Sequence, residues 1–513
     1  MMKAFFLKPS VIAGFLLGLA ALALYSYTVA PDVLAHDVAD WQASAATMGI
    51  AHAPGSPAYD IVAWLFSLAP VGNVAVRVNF LSAVIGAIGV VAVYALSYTL
   101  FGRMLPALVS SITLAVGGLW WSHAAVANPY NAVPAISAIL LTLLLIWRRN
   151  GDNRLVWVGA GLFGAGITWH ITLLFFLPVL VAGIFFLGPW RGLFRTKPLL
   201  LTLAFFLLGI SPYLFLPIRS AMHPLIDYQQ IDSVTSFIRY VSASDARAEG
   251  HETLRLPGLV QTKDLLVQVV QQSYFPSYAF LVFGPAIVLL YPAVWPALRN
   301  LWRPLLFLAA AMVAHMFFLF FFSGDYPFYH LSLLMYFSVW TGFSVFLIMC
   351  MGEAYLGRGR LRHLPVIIIG AVYFAVLLLG VTRTWDFVNH RNDYGMRQYI
   401  NTVFDHSRQD AVILADWDSY TGLLYAQKID SERTDIRLIG ATRETLPGLL
   451  RRAEEENPGA QILISVTLPF KPLPNIKELG GPFPLEYKAV TYQDFEHGEP
   501  FPVAEALYEV KGR

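Results

Sequence analysis

Asp37 and Asp40 stand three residues apart in the segment from Pro31 to Tyr59. If that segment is helical, the spacing puts both carboxylates on one face. Ala39 to Gly49 has the small and apolar content of a helix lying along a membrane surface. Carboxylates at such a boundary are partly desolvated, which raises the pKa and suits a proton acceptor. Capping of that helix by Asp37 or Asp40 is the alternative, and the residues leave it open. His52 adjoins Ala-Pro-Gly-Ser-Pro57, where two prolines and a glycine force a turn. It reads either as a polar contact to a substrate or as a surface histidine.

Arg219 closes Pro212-Tyr-Leu-Phe-Leu-Pro-Ile-Arg219 at the end of an apolar run. Its guanidinium fork suits a phosphate, and a salt bridge to one of the aspartates is the competing reading. No His-x-x-x-His or cysteine cluster is present, and Cys350 is the one cysteine. No cofactor is therefore expected, and a divalent metal on Asp37, Asp40 and His52 lacks a supporting motif. Further polar and aromatic residues fall at the ends of apolar runs: Trp121, His123, Asn128, Tyr130, Trp169, His170, Asp325, Tyr326 and His330. Tyrosine and tryptophan are expected there as interfacial belts, whereas the histidines and acids are not required for that role.

The elements that must carry these residues are membrane helices. Of 513 residues, 57% are hydrophobic and 13% charged, and the mean hydropathy is +0.58. A soluble chain carries about 25% charge, so this is a polytopic membrane protein. The net charge of +2 offers no basic face for nucleic acid. Apolar runs at 10–30, 76–101, 104–120, 131–147, 155–168, 171–188, 198–217, 276–298, 304–322, 329–350 and 363–383 give eleven crossings, on roughly 20 residues each. The run from Leu155 to Leu187 is read as two short helices meeting at Trp169-His170; one long tilted helix is the alternative. Lys8, Arg103, Arg148, Arg149, Arg195, Arg303 and Arg358 fall in one set of loops, and 31–75, 121–130 and 323–328 hold no Lys or Arg. The positive-inside rule places the N-terminus in the cytoplasm and Asp37 outside. The first span is read as a retained anchor rather than a signal peptide cut after Tyr27-Thr28-Val29-Ala30.

Residues 1–383 thus form a membrane domain, with outer loops at 31–75 and at 219–275, the latter carrying short amphipathic helices. Residues 384–513 have soluble composition. Strands at Asp410–Ala415, Asp435–Ile439 and Gln461–Ser465 alternate with helices at Tyr420–Gln427 and Arg443–Glu456, predicting a small extracytoplasmic α/β domain. No glycine-rich phosphate fingerprint follows these strands, so nucleotide binding has no support.

The order of motifs resembles a known family. The acid pair is followed by Gly49-x-x-His52-x-Pro-Gly-x-Pro57, Arg77-x-Asn79, Trp121-Ser122, Gly166 to His170-x-Thr172, Leu216-Pro-x-Arg219 and Tyr329. Together they resemble the transmembrane protein O-mannosyltransferase family of the GT-C superfamily, best over about 30–230. In the tail, Leu424-Tyr425 through Arg433-x-Asp435 is also similar. The resemblance implies a GT-C-like bundle and a catalytic acid in the first outer loop. Where relatives carry Trp-Asp-Ser-Gly-Glu, this chain has His36-Asp37-Val38-Ala39-Asp40. Asp37 takes the aspartate position and Asp40 that of the glutamate, without the Ser-Gly between them. Asn128 stands where relatives often have glutamate, and Trp169 replaces a polar partner of His170.

The reaction implied is sugar transfer from a polyprenyl-phosphate donor, held in the membrane lipid, to a hydroxyl of a protein or glycan acceptor. Asp37 is the expected base, Asp40 tunes it or positions the acceptor, and Arg219 grips the phosphate with help from His52 or His170. Tyr59, Arg77, Tyr130 and His330 complete the expected substrate contacts. Compact loops favour a bacterial inner membrane. A transporter or flippase of a lipid-linked or small polar substrate is the main rival. It predicts ionisable residues at mid-membrane depth and matching halves, and neither is apparent here. A binding protein working through its soluble tail is the third reading.

Overall fold

The computed structural model describes residues 8–244, 280–321, 327–356, 363–442, 444–468, 485–493 and 503–510. The membrane part is helical. The N-terminal helices are α1 (Pro9–Thr28), α2 (His36–Thr47), α3 (Pro57–Ser67), α4 (Val74–Phe101), α5 (Met104–Ala115), α6 (Gly118–Ala124) and α7 (Ala132–Asn150). They are followed by α8 (Arg154–Trp169), α9 (Leu177–Leu187), α10 (Thr196–Ile210), α11 (Phe215–Ser220) and α12 (Val234–Val241). Beyond these lie α13 (Phe280–Leu290), α14 (Trp295–Leu298), α15 (Trp302–Phe321), α16 (Leu331–Tyr355) and α17 (Leu364–Val388).

Helix falls in all eleven of the expected apolar runs, but the span count is lower on length and composition. Among the described residues six helical segments are long and apolar enough to cross a membrane, and eight if two bent pairs count as one span each. The bends are 66° between α5 and α6 and 91° between the segments Pro292–Leu298 and Trp302–Met316. The shortfall has a geometric cause. The 16 residues of α8 reach only about 24 Å at 1.5 Å per residue, less than a hydrocarbon core of about 30 Å. The break expected at Trp169-His170 is present: α8 ends there and a 3₁₀ turn, Ile171–Phe176, leads into α9. Close packing of α8 on α10 depends on glycine, since a Cβ at Gly209 would lie 2.1 Å from the Gly161 carbonyl oxygen. The last span runs to Val388, five residues beyond the expected end.

Of the outer loop expected at 219–275, the described part contains α12, and 245–275 lie outside the described residues, as do Asp325 and Tyr326. The aromatic-belt reading fails for Trp121, which is 1% exposed and donates its indole N–H to Thr28 Oγ1 at 2.8 Å. His123 is buried as well.

The tail forms a five-stranded sheet with helices α18 (Gly395–His406), α19 (Trp417–Lys428) and α20 (Leu446–Glu456). Its strands are β1 (Val412–Ala415), β2 (Arg437–Gly440), β3 (Ile462–Leu468), β4 (Leu485–Gln493) and β5 (Val503–Val510), in the order β2-β1-β3-β5-β4. β1 is parallel to β2 and β3, with Val412 opposite Arg437 and Ile462. β3–β5 and β5–β4 are antiparallel. All four residues of β1 are buried because their side chains alternate between two helical layers. Ile413 and Ala415 pack with α18 and α19, and Val412 and Leu414 with α20.

One element belongs to both halves of the molecule. Ala39 and Ala43 of α2 join the core of the C-terminal domain, while Val38, Trp41 and Ala45 join the core of the helical bundle. Alanine on the first face lets α19 approach closely. The residues proposed for chemistry ride on this helix.

Candidate functional site

α2 begins at His36, whose φ of +57° is the left-handed region that non-glycine residues seldom adopt. Ala35 is the N-cap and supplies no side-chain cap, so neither aspartate plays the capping role left open above. Both turn the other way. His52 Nδ1 lies 2.7 Å from Asp40 Oδ2, and His52 Nε2 lies 3.5 Å from Asp37 Oδ2. The His52 backbone N–H also donates to Asp40 Oδ2 at 2.9 Å. One imidazole therefore bridges the two carboxylates that their spacing had placed on one face. Asp40 is 1% exposed.

Asp37 has two further partners. His36 Nδ1 stands 3.1 Å from its Oδ1, and the Trp417 indole of α19 donates to the same oxygen at 2.8 Å. His36 also reaches Asp418 Oδ1 with Nε2 at 3.4 Å. Burial by itself would raise Asp37, but the His36 and His52 charges and the two donors hold it well below the ordinary carboxylate range. The expectation of a raised pKa at Asp37 is therefore corrected: it is held as a carboxylate. Burial likewise opposes the charge of His52, yet Asp37 and the hydrogen-bonded Asp40 bring its pKa up to about 9.

The raised carboxyl is a different residue. Asp60, in the first turn of α3, is 1% exposed, and among the described residues neither of its oxygens has a hydrogen-bond partner. Burial first, and the charge of Asp40 second, push it well above the usual range, with His52 opposing. The turn that carries His52 is shaped by Gly55 at φ +72°, where a Cβ would fall 2.4 Å from the Tyr240 ring. Tyr240 hydroxyl closes that turn on the Ala51 carbonyl.

Next to the acids lies a cluster of aromatic rings. The Trp41 ring is 5.4 Å from His52, 6.2 Å from Tyr59 and 5.4 Å from Tyr130. Tyr130 stacks on Phe328 at 3.7 Å and meets His170 edge-on at 5.1 Å. Asn128 sets Tyr130 by accepting its backbone N–H and donating to the His123 and Val126 carbonyls. His170 Nδ1 contacts Thr172 Oγ1 at 2.7 Å. His330 is buried next to Tyr329, whose ring is 6.5 Å from those of Tyr130 and His170.

Two expected contacts are placed elsewhere. Arg219 donates to the Met48 and Thr47 carbonyls at 2.6 and 2.9 Å and to Met222 Sδ at 3.7 Å. It closes the C-terminal end of α2, where carbonyls lack helical partners and the dipole favours a cation, roughly 15 Å along the helix from Asp37. Among the described residues it forms no salt bridge to an aspartate. Arg77 donates to the Ser67, Val71 and Gly72 carbonyls, so it holds the loop after α3 rather than the site. Its motif partner Asn79, fully buried, does more for the site. Asn79 accepts from Gln42 of α2 and from the Ala127 N–H, and donates to the Ala30 carbonyl, each at 2.9 Å.

Trp417, Asp418, Asp60 and the role of His36 were not drawn from the sequence. A signal existed for the first two. Asp416-Trp417-Asp418-Ser419 follows the C-terminal end of a parallel strand, where α/β folds place their ligand contacts. Among the described residues no group of three or more His, Cys, Asp or Glu side chains is arranged to hold a metal ion.

Residues 37–192 match the model of the family described as the protein O-mannosyl-transferase TMEM260 N-terminal domain. Protein O-mannosyl-transferase TMEM260 of Mus musculus is 26% identical over 204 residues, 39% of this chain and 29% of the mouse protein. Its namesake from Dictyostelium discoideum is 26% identical over 227 residues, 41% of this chain and 28% of that protein. The match therefore spans under a third of the length of these relatives. The crystal structure of ArnT from Cupriavidus metallidurans bound to undecaprenyl phosphate superposes with a TM-score of 0.58, covering 96% of this chain and 97% of ArnT at 13% identity. The described residues thus share the fold of ArnT, in line with the GT-C-like architecture expected from the motifs, and the region matched by the family model begins at Asp37.

Proposed function

From that kinship and this geometry we propose that the chain is an integral-membrane glycosyltransferase that moves a sugar from a polyprenyl-phosphate donor to an acceptor hydroxyl. The observation that carries the reading is the set of half-buried Asp37 and His52 with buried Asp40, next to the C-terminal domain, in the fold of a protein bound to undecaprenyl phosphate. Asp37, held ionised, takes the proton of the acceptor hydroxyl as its oxygen bonds to the anomeric carbon. The bond from that carbon to the phosphate oxygen breaks on the opposite face, and the lipid phosphate leaves with the electron pair, so configuration inverts. Asp40 fixes the His52 imidazolium. We assign His170 to the donor phosphate, with the His52 charge acting on it through space because both ring nitrogens face Asp37 and Asp40, and leave Arg219 in its helix-end role. The Trp41 and Tyr130 rings give the sugar apolar surfaces.

An apolar cavity of about 380 Å³ supports a lipid-linked donor. It lies between α7, α8, α9 and α10 and includes Ile167 and Leu174 beside the Trp169-His170 break. The reaction as drawn uses no metal. Compact loops favour a bacterial inner membrane in this reading, and the charge bias supports a cytoplasmic N-terminus with the site and tail domain outside. The test is incubation of the purified protein in lipid with a panel of radiolabelled polyprenyl-phosphate sugars and a membrane-protein extract. One donor should yield labelled product of inverted anomeric configuration. Labelled lipid that crosses the bilayer without transfer supports the transporter reading instead.

A further inference from the structure

The two oxygens of Asp37 are fixed by opposite halves of the chain. Oδ2 faces His52 from the first outer loop. Oδ1 accepts the Trp417 indole N–H across 380 residues of sequence. We propose that Trp417 is a positioning residue for Asp37, which makes the C-terminal domain part of the catalytic site. This rests on Asp37 being the proton acceptor proposed above.

An indole N–H only donates, so its bond at 2.8 Å is made to an acceptor oxygen and cannot reverse. It occupies a lone pair on Oδ1 and fixes the rotation of the carboxylate, leaving Oδ2 as the oxygen turned toward His52. Trp417 is itself held firmly. It is the first residue of α19, directly after Asp416, whose backbone N–H donates to Ser465 at 3.0 Å and whose carboxylate caps the helix at Ser419. Its ring is 5.6 Å from that of His52 and 5.4 Å from that of Tyr228, both edge-on. The Trp41 ring is 5.4 Å from the same imidazole, so His52 neighbours two indoles. α19 is tied to the first outer loop by Thr421 Oγ1 to the His36 carbonyl at 2.8 Å, and by the Ala75 N–H to the Tyr425 hydroxyl at 3.1 Å. A displacement of the domain therefore breaks the bond to Asp37. Packing alone would account for a large ring at this place, but not for its N–H aimed at the carboxylate.

The experiment uses the full chain in lipid nanodiscs. With ¹⁵N-labelled tryptophan, the indole resonance missing from Trp417→Phe identifies Trp417. It should move upfield in Asp37→Asn, where the acceptor is neutral. In transfer assays Trp417→Phe keeps an aromatic ring, smaller than the indole, and removes the donor. We expect kcat to fall about tenfold, the scale of a lost hydrogen bond to a charged group, with donor KM and melting temperature unchanged. An indole resonance unmoved by Asp37→Asn, wild-type kcat in Trp417→Phe, or an effect on KM alone overturns the proposal. If the wild-type protein transfers sugar from no donor, the functional reading fails, while the indole shift still decides whether Trp417 holds Asp37.

Discussion

His52 governs the electrostatics of the site. Its pKa, about 9, stands above the roughly 6.5 of a free histidine. A base raised on folding adds stability that is complete below about pH 6.5 and is lost as pH climbs through the folded value. Transfer activity should therefore show an alkaline limb near pH 9, and His52→Gln should remove it. A limb that survives the substitution belongs to another group. Asp60 has the reverse sign. A carboxyl raised on folding costs stability increasingly as pH rises above the unfolded value of about 3.9. Asp60→Asn should raise the melting temperature at about pH 7, with the gain fading near pH 4; an equal gain at both pH values would contradict the assignment. The Asp37–Asp40 spacing made the bridged pair legible in the sequence, because three residues of helix is a fixed rotation. Asp60 was not legible: an acid in the first turn of a helix ordinarily complements the dipole, and only tertiary packing buries this one.

At the scale of elements, α2 is the part on which the site depends, and Asn79 is its main tether. Asn79→Ala removes three buried hydrogen bonds at once and strands their partners on α2, Ala30 and Ala127. The expected cost is on the order of 3 kcal/mol, read as a lower melting temperature and faster amide exchange over residues 36–47. A variant with wild-type exchange there would show that α2 is held by packing alone. The apolar runs disclosed where helix forms, since hydropathy reports burial in lipid or protein alike. They could not give the number of complete crossings. α8 and the Ile171–Leu187 segment are too short, and two other pairs are bent. The surroundings of Arg219 were hidden for a similar reason. A cation at an outer helix end implies an anionic partner, and the C-terminal carbonyls of α2, a partial negative charge, served as that partner.

Across the whole molecule, the membrane bundle and the tail domain meet at α2 and share one hydrophobic cluster. Arg397 of α18 adds a bidentate pair with Asp32 at 3.0 and 3.1 Å. The strands β1, β2 and β3 were readable from short buried runs between turns. β4 and β5 were not, and neither was the docking, because no local pattern tells which outer loop a soluble domain will cover. That docking makes a residue near 37 and a residue near 417 neighbours, and everything proposed about the chemistry depends on the first of them. The most direct measurement compares initial rates of sugar transfer from the active polyprenyl-phosphate donor by wild type and Asp37→Asn, alongside their melting temperatures. A fall of about a thousandfold, within the range for loss of a general base, with unchanged melting is the predicted result. Turnover at the wild-type rate in Asp37→Asn contradicts it.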